Sequence, residues 1–202
     1  METGLVSAVV VNWNRRELLR KCLESLLAQR EVELEVIVVD NASTDNTAET
    51  AKMEWQNFNT PGVNFQVIDE LKPGVCNARE TGIQNSNFDY ILFCDDDNWL
   101  HEDYVGVAYN TISANPKMAA LGGQSVAVSD IPLPDWFNSS ASNYAVGKQA
   151  ESSGEPFLAV APFLGGRCKR RWTWHSIQSR FCLRHKGPPC SVSPTISKFC
   201  GI

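Results

Sequence analysis

Residues 90–97 read YILFCDDD, a short apolar run that stops abruptly at three aspartates. An apolar run of this length, bounded by polar residues, is typical of a strand buried on both faces of a sheet. Two earlier segments have the same form: residues 5–11 (LVSAVVV) precede Asn12-Trp13-Asn14, and residues 36–39 (VIVV) precede Asp40-Asn41. The pattern predicts buried strands that each end in polar side chains.

Helical signals separate these strands. Leucines and one cysteine between residues 19 and 27 form a single apolar stripe, and residues 41–45 offer several N-caps for a helix over about 47–55. The remaining predicted elements are a strand over 65–68, helices over about 76–85 and 102–114, and a short strand near 119–121. Strands that alternate with helices of this length predict an α/β fold with a parallel sheet and right-handed crossovers.

The overall composition is that of a globular protein. Of 202 residues, 43% are hydrophobic and 20% are charged, which argues against intrinsic disorder. No apolar run approaches the roughly 18 residues needed to cross a bilayer, and the acidic N-terminus does not resemble a signal peptide. We therefore expect a cytoplasmic protein.

Three regions differ in character. Residues 1–125 carry the strand and helix pattern, the pattern weakens over residues 126–154, and residues 155–202 form an atypical tail. The tail has one acidic and eight basic residues and four of the seven cysteines, whereas residues 1–154 have 22 acidic and 10 basic residues. The coincident changes suggest a poorly ordered and frameshifted or spliced tail. Zinc binding and docking on a membrane surface are the alternatives, but the tail lacks a close cysteine pair and an amphipathic helical stripe.

The strand ends predict a binding site. In an open parallel sheet, ligands bind at the carboxyl ends of the strands. The loop before the third helix adds Gly74, Asn77 and Arg79 to the polar residues already named. An aromatic ring can cover a base, a carboxylate can accept from a base or ribose, and an arginine can reach a phosphate. Together these residues predict a nucleotide pocket.

The triple aspartate, residues 95–97, predicts a metal site. Adjacent carboxylates at a buried strand end repel one another, and an oxygen-only site suits Mg²⁺ or Mn²⁺. A solvated acidic turn at a helix start is the alternative. For the other candidates the alternatives are equally ordinary: Asp40 as a helix cap, Trp13 packed on a helix, and Arg79 in a surface ion pair with Glu80 or Asp45.

In this order and spacing, the motifs resemble those of the inverting glycosyltransferase family 2. Residues 9–14 (VVVNWN) are similar to its opening strand, residues 38–47 (VVDNASTDNT) to its second motif, and residues 74–82 (GVCNARETG) to its Gly-x-x-x-Ala-Arg-Asn-x-Gly stretch. The triple aspartate falls on its Asp-x-Asp motif. The resemblance covers about residues 5–153 and implies a Rossmann-like fold of the GT-A type, truncated here, with an irregular C-terminal tail. It also implies a nucleotide-sugar-binding domain over residues 1–125 and the start of an acceptor-side region over residues 126–154.

The resemblance also implies roles for individual residues. Asp40 would bind the base, Arg79 would lie near the nucleotide or its phosphates, Asp95 would hold the ribose or a metal-bound water, and Asp97 would bind the metal directly. Asn41 stands where a second aspartate is frequent. The predicted nucleotide-sugar-binding residues are Asn12, Trp13, Asn14, Asp40, Asn41, Arg79, Asp95 and Asp96, and the predicted metal ligands are Asp97 and Asp95, with Mn²⁺ or Mg²⁺ as the cofactor.

The implied activity is transfer of a sugar from a nucleotide-diphosphate donor to an acceptor hydroxyl, with inversion and metal assistance. We expect a carbohydrate or lipid-linked acceptor, no nucleic-acid partner and at most a peripheral membrane contact. The family's later Glu-Asp element, which carries the catalytic base, has no counterpart after Glu155, so no base is identified. The alternative is an incomplete fragment that only binds nucleotide and metal. A receiver-type signalling domain fits less well, because the sequence lacks a lone phospho-accepting aspartate on the third strand and a lysine on the fifth. Nucleotidyl transfer fits less well, because no Gly-rich phosphate loop with a basic residue follows the first strand.

Overall fold

The computed structural model describes residues 4–58, 62–116, 118, 121–144 and 146–147, together with the backbone of residues 175–176. Strands and helices alternate along most of this range. In chain order the elements are β1 (Gly4–Asn12), α1 (Arg16–Leu27), β2 (Val32–Asp40), α2 (Thr47–Asn57), β3 (Asn64–Asp69), α3 (Val75–Gln84), β4 (Tyr90–Asp95), α4 (Tyr104–Ser113), β5 (Ala127–Val128), α5 (Phe137–Ser140), a 3-10 turn (Ala141–Tyr144) and β6 (His175–Ser176).

The first four strands form one parallel sheet in the order β3-β2-β1-β4. Their register brings the carboxyl ends to a common edge: Asn12 lies opposite Asp40, and Asp40 lies opposite Asp69. On the other side of β1, Val11 lies opposite Asp95. The predicted Rossmann-like α/β fold is confirmed, and its sheet places the polar strand ends side by side.

Helices cover both faces of this sheet. On one face, α1 and α4 pack against the strands through the apolar stripe of α1 (Leu19, Cys22, Leu23, Leu26) and through Val105, Ala108 and Ile112 of α4. On the other face, Ala78 of α3 packs against Val9, Ile37 and Ile91. Because successive side chains of a strand point to opposite faces, a sheet covered on both sides requires the continuous apolar runs found in the sequence.

The short elements beyond α4 differ from the predicted ones. The strand predicted near residues 119–121 is absent at Leu121, and residues 119–120 lie outside the described range. A strand is found instead at β5, which pairs antiparallel with β6. The predicted extended loop over residues 131–137 ends at Phe137, where α5 begins. The side chain of Phe137 is buried, and its backbone N–H donates to the carbonyl of Pro134 at 2.8 Å.

No helix in the described ranges is long and apolar enough to cross a membrane. The longest, α1, has 12 residues.

Candidate functional site

The chain turns sharply where β4 ends. The N–H of Asn98 donates to the carbonyl of Asp95 at 3.0 Å, which closes a turn around Asp96 and Asp97. The turn gives each of the three carboxylates a different neighbour. Asp95 pairs with Arg79, Asp96 accepts from Asn12, and Asp97 pairs with Arg15.

Asp96 is the buried member of the three, with 5% of its surface exposed. The side-chain amide of Asn12 donates to its Oδ2 at 2.8 Å, and the guanidinium of Arg15 lies 3.4 Å from its Oδ1. Burial raises the pKa of Asp96 to about 7; Arg15 opposes the shift, and the charge of Asp97 adds to it. Burial also raises the pKa of Asp97. Negative charge at this turn is therefore only partly compensated.

Arg15, which the sequence patterns did not single out, is part of this cluster. Its Nη1 lies 2.9 Å from Oδ2 of Asp97 and 3.4 Å from Oδ1 of Asp96, so one guanidinium nitrogen bridges two carboxylates. One feature of the sequence points to Arg15: it is a basic residue that directly follows the polar end of β1. In the sheet, β1 lies beside β4, the strand that ends in the triple aspartate. Without the sheet order, this residue looks like an ordinary helix-flanking arginine.

Asp40 ends β2 and is buried, with 6% exposure. Its carboxylate accepts hydrogen bonds from Ser43, yet its Oδ1 has no partner among the described residues. Burial raises the pKa of Asp40, against the effect of Ser43 and with help from the charges of Asp69 and Asp45. Asp40 does not cap α2, because Asp45 accepts the N–H of Thr47 at the start of that helix.

Two of the predicted binding residues hold loops together. Oδ1 of Asn41 accepts from the N–H of Gly74 at 2.8 Å, which ties the end of β2 to the start of α3. Oδ1 of Asn14 accepts from the N–H of Thr44, also at 2.8 Å, which ties the loop after β1 to the loop after β2. These amides position the edge of the site, and their predicted contact with a nucleotide sugar stays a prediction.

The side chain of Arg79 contacts the acidic turn, whereas that of Trp13 is exposed. Nη2 of Arg79 is 3.4 Å from Oδ1 of Asp95, and its guanidinium carbon is 5.6 Å from the ring centroid of Phe93. This inward ion pair takes the place of the surface pair considered from sequence. Trp13 is 61% exposed, so its indole is available to a ligand rather than packed against a helix.

Three buried polar atoms at this edge lack a hydrogen-bond partner within the described ranges. They are Oδ1 of Asn12, Oδ1 of Asp40 and Nε of Arg79. Buried polar atoms are nearly always paired in folded proteins, so these three need a partner that the described residues do not supply, such as a water, an ion or a ligand. The oxygens of Asn12 and Asp40 can accept from N–H or O–H groups, and Nε of Arg79 can donate to an anionic oxygen. A molecule that carries both kinds of group would satisfy all three atoms.

The carboxylate oxygens at the acidic turn provide some, but not all, of the ligands that a divalent cation needs. Carboxylate oxygens suit Mg²⁺ and Mn²⁺, and the excess of negative charge would be relieved by binding either one. However, no group of three or more His, Cys, Asp or Glu residues converges on a single point in the described part of the chain. A cation here needs further oxygen ligands from a bound molecule, as Mg²⁺ commonly does with substrate phosphates.

Comparison with known proteins identifies the family. The model of "Glycosyl transferase family 2" matches residues 7–175. The chain belongs to this family. The match reaches further than the resemblance over residues 5–153 indicated, because it includes part of the segment after Glu155.

Individual relatives agree with this family. The glycosyltransferase GlyA of Streptococcus pneumoniae serotype 4 is 33% identical over 117 residues, which are 58% of this chain and 16% of that protein. The poly-beta-1,6-N-acetyl-D-glucosamine synthase of Staphylococcus epidermidis is 28% identical over 119 residues, 58% of this chain and 28% of that protein. The chain thus spans less than a third of either relative.

The fold has a solved counterpart. The mannosyltransferase PcManGT from Pyrobaculum calidifontis, solved in complex with GDP-Man and Mn²⁺, superimposes with a TM-score of 0.53 and is 25% identical. The alignment covers 66% of this chain and 37% of that one. The Rossmann-like sheet is therefore that of a GT-A glycosyltransferase.

Proposed function

We propose that this glycosyltransferase moves a sugar from a nucleotide-diphosphate donor to an acceptor hydroxyl, with inversion and with the help of a divalent cation. The observation that carries the proposal is the set of unpaired polar atoms of Asn12, Asp40 and Arg79 beside the acidic turn. The family membership and the GDP-Man and Mn²⁺ complex of the mannosyltransferase support it.

The nucleoside end of the donor would lie near β2. The unpaired Oδ1 of Asp40 would accept from a base N–H, and the exposed indole of Trp13 would cover the base. Asp95 would orient the ribose from the end of β4. Asn14 and Asn41 would hold the two loops that frame this pocket.

The diphosphate would lie beside Arg79 and the acidic turn. Asp97, with Asp95, would hold Mn²⁺ or Mg²⁺, which would supply positive charge against the charge of the leaving diphosphate. Arg79 would contribute charge from the α3 side, with Asp95 holding its guanidinium in place. We assign no residue as the base that takes the proton of the acceptor hydroxyl.

The acceptor and the cellular role are proposed from the relatives alone. A carbohydrate or lipid-linked acceptor, and a part in polysaccharide synthesis, agree with the similarity to the poly-beta-1,6-N-acetyl-D-glucosamine synthase. A cytoplasmic location and a peripheral membrane contact of the basic tail stay predictions, which fractionation and vesicle sedimentation would test.

Isothermal titration with UDP, GDP and dTDP, each with Mn²⁺ or with EDTA, tests the donor site. We expect Mn²⁺-dependent binding of at least one nucleotide, weakened at least about tenfold in Asp97→Ala because a charged ligand is lost. Asp89→Ala is the matched control, since this exposed aspartate lies just before β4, at the other end of the strand. Binding that is insensitive to both EDTA and Asp97→Ala would refute the metal-assisted site.

A second step separates the enzyme from the binding fragment. The nucleotide that binds most tightly identifies the donor sugar nucleotides to offer together with oligosaccharide and lipid-linked acceptors. Release of nucleoside diphosphate that depends on the acceptor supports transfer. Tight, metal-dependent binding without any acceptor-dependent turnover would support the alternative, a chain that holds the donor and the cation only.

A further inference from the structure

Arg15 occupies the place at the acidic turn that a cation would need. Its Nη1 lies 2.9 Å from Oδ2 of Asp97, the carboxylate assigned to the metal above, and 3.4 Å from Oδ1 of Asp96. Asp96 is held from its other side by Asn12 at 2.8 Å. One positive charge therefore already lies between the two carboxylates when no cation is bound.

The backbone of Arg15 is anchored, whereas its side chain is half exposed. Its carbonyl accepts from the N–H groups of Leu18 and Leu19, at 3.1 and 3.0 Å, which anchors the residue at the start of α1. The side chain is 51% exposed, so its guanidinium faces solvent on the side away from Asp96 and Asp97. An anchored backbone with a half-exposed charged end suits a group that changes partners.

We propose that Arg15 is a positioning residue that takes the place of the divalent cation on Asp97 in the empty site, and moves to the donor diphosphate when the cation binds. This inference rests on the function proposed above. A guanidinium and a divalent cation beside the same carboxylate repel each other, so binding of one disfavours the other. The anionic diphosphate then offers Arg15 a new partner of the kind that arginine binds well.

The exchange of partners by Arg15 makes cation binding depend on donor binding. The cation alone must displace Arg15 from Asp97 and is held weakly, whereas the cation together with the diphosphate gives Arg15 a replacement partner. Arg15 thus couples cation binding to donor binding. The coupling keeps the site from filling with metal when no donor is present.

Mn²⁺ binding to the purified chain without nucleotide is the first test, measured from the electron paramagnetic resonance signal of free Mn²⁺. Arg15→Ala is expected to bind Mn²⁺ about three- to tenfold more tightly than wild type, because the competing charge is removed. Arg15→Lys keeps a cation and is expected to stay close to wild type. Arg16→Ala is the matched control, since Arg16 is 52% exposed, is adjacent in sequence and pairs with Glu17 instead.

Nucleotide binding in the presence of Mn²⁺ is the second test. Arg15→Ala is expected to weaken it about three- to tenfold, the opposite direction to its effect on Mn²⁺ alone. A residue that merely stabilises the turn would not move the two affinities in opposite directions. Thermal unfolding of each variant confirms that the fold is intact.

The results separate this inference from the proposed function. Mn²⁺-dependent nucleotide binding by wild type, combined with unchanged or weaker Mn²⁺ binding by Arg15→Ala, overturns the role of Arg15 and leaves the function standing. Absence of Mn²⁺ binding by both wild type and Arg15→Ala without nucleotide overturns the inference alone. Absence of Mn²⁺-dependent binding in both chains with nucleotide present as well overturns the inference and the metal-assisted function together. Mn²⁺ binding that is detectable only in Arg15→Ala supports the inference.

Discussion

Glu35 is a buried carboxylate that lies on β2 outside the candidate site, with 1% exposure. Burying a charge is costly unless donors surround it, and here four do. Ser7 Oγ and the N–H of Asn87 donate to its Oε1, and the side-chain amides of Asn87 and Asn64 donate to its Oε2. Burial raises the pKa of Glu35, but these hydrogen bonds outweigh it, so the pKa lies below its ordinary value.

Replacing Glu35 with glutamine tests this network. The side-chain NH₂ of the new glutamine would face N–H and O–H groups that now donate to the carboxylate, so some of these hydrogen bonds are lost. Glu35→Gln is therefore expected to lower the free energy of unfolding by about 2 kcal/mol at neutral pH. Because the folded-state pKa is depressed, the stabilisation by Glu35 is present above its unfolded pKa and is lost as the pH falls through its folded pKa. The difference between wild type and variant should therefore shrink in acid.

Urea unfolding at about pH 7 and about pH 3 measures both effects. Glu33→Gln is the control, because Glu33 is an exposed residue of the same strand. An equal loss of stability at both pH values would show that the ionised form of Glu35 contributes nothing.

At the scale of elements, the contact between α3 and β1 sets the position of Arg79. Gly82 of α3 lies so close to β1 that an added Cβ would be 2.3 Å from Cγ1 of Val9. Ala78, one turn earlier, is fully buried against the same face of the sheet. The helix can lie this close only because these two positions carry the smallest side chains, and this approach brings Arg79 within reach of Asp95.

Gly82→Ala should therefore push α3 away from the sheet. The clash with Val9 exceeds the roughly 1 kcal/mol that alanine contributes to a helix over glycine, and a net destabilisation of about 2 kcal/mol is expected. Gly122→Ala is the control, since a Cβ there meets no atom within 4 Å. Thermal unfolding measures the loss of stability, and the nucleotide titration measures whether the displaced helix weakens binding. An unchanged unfolding midpoint would mean that β1 accommodates the methyl group without loss of stability.

At the scale of the whole molecule, the elements that build the candidate site all lie within residues 4–113. The sheet order, its register and the acidic turn are complete within β1 to α4. The predicted division at residues 125 and 154 stays a prediction, as does the frameshifted origin of the tail. The only described part of the tail is the strand β6, which pairs with β5 and not with the four-stranded sheet.

A chain that ends at Gly154 tests this division. Removing residues 155–202 is expected to leave the nucleotide affinity within about twofold of the full chain, since the described donor site has no contribution from them. The titration with Mn²⁺ that is used for Asp97→Ala measures this directly. A large loss of affinity would place part of the donor site in the segment after Glu155, which the family match partly covers.

Much of this protein follows from the local sequence. Apolar runs such as residues 5–11 and 36–39 specify buried strands, and the leucine spacing of α1 specifies the helix face that packs on them. The polar residues after each run mark the binding edge, because parallel strands end on the same side. These features depend on the spacing of apolar residues and on chain direction, and both can be read from residues that are close together in the sequence.

Other features required the tertiary structure. The bridge from Arg15 to Asp96 and Asp97, the unpaired oxygen of Asp40 and the loop contact of Asn41 with Gly74 all join residues far apart in sequence. Such contacts depend on strand order and register, which place β1 between β2 and β4. Local patterns contain no information about which strands become neighbours, so only the folded chain decides which charges meet.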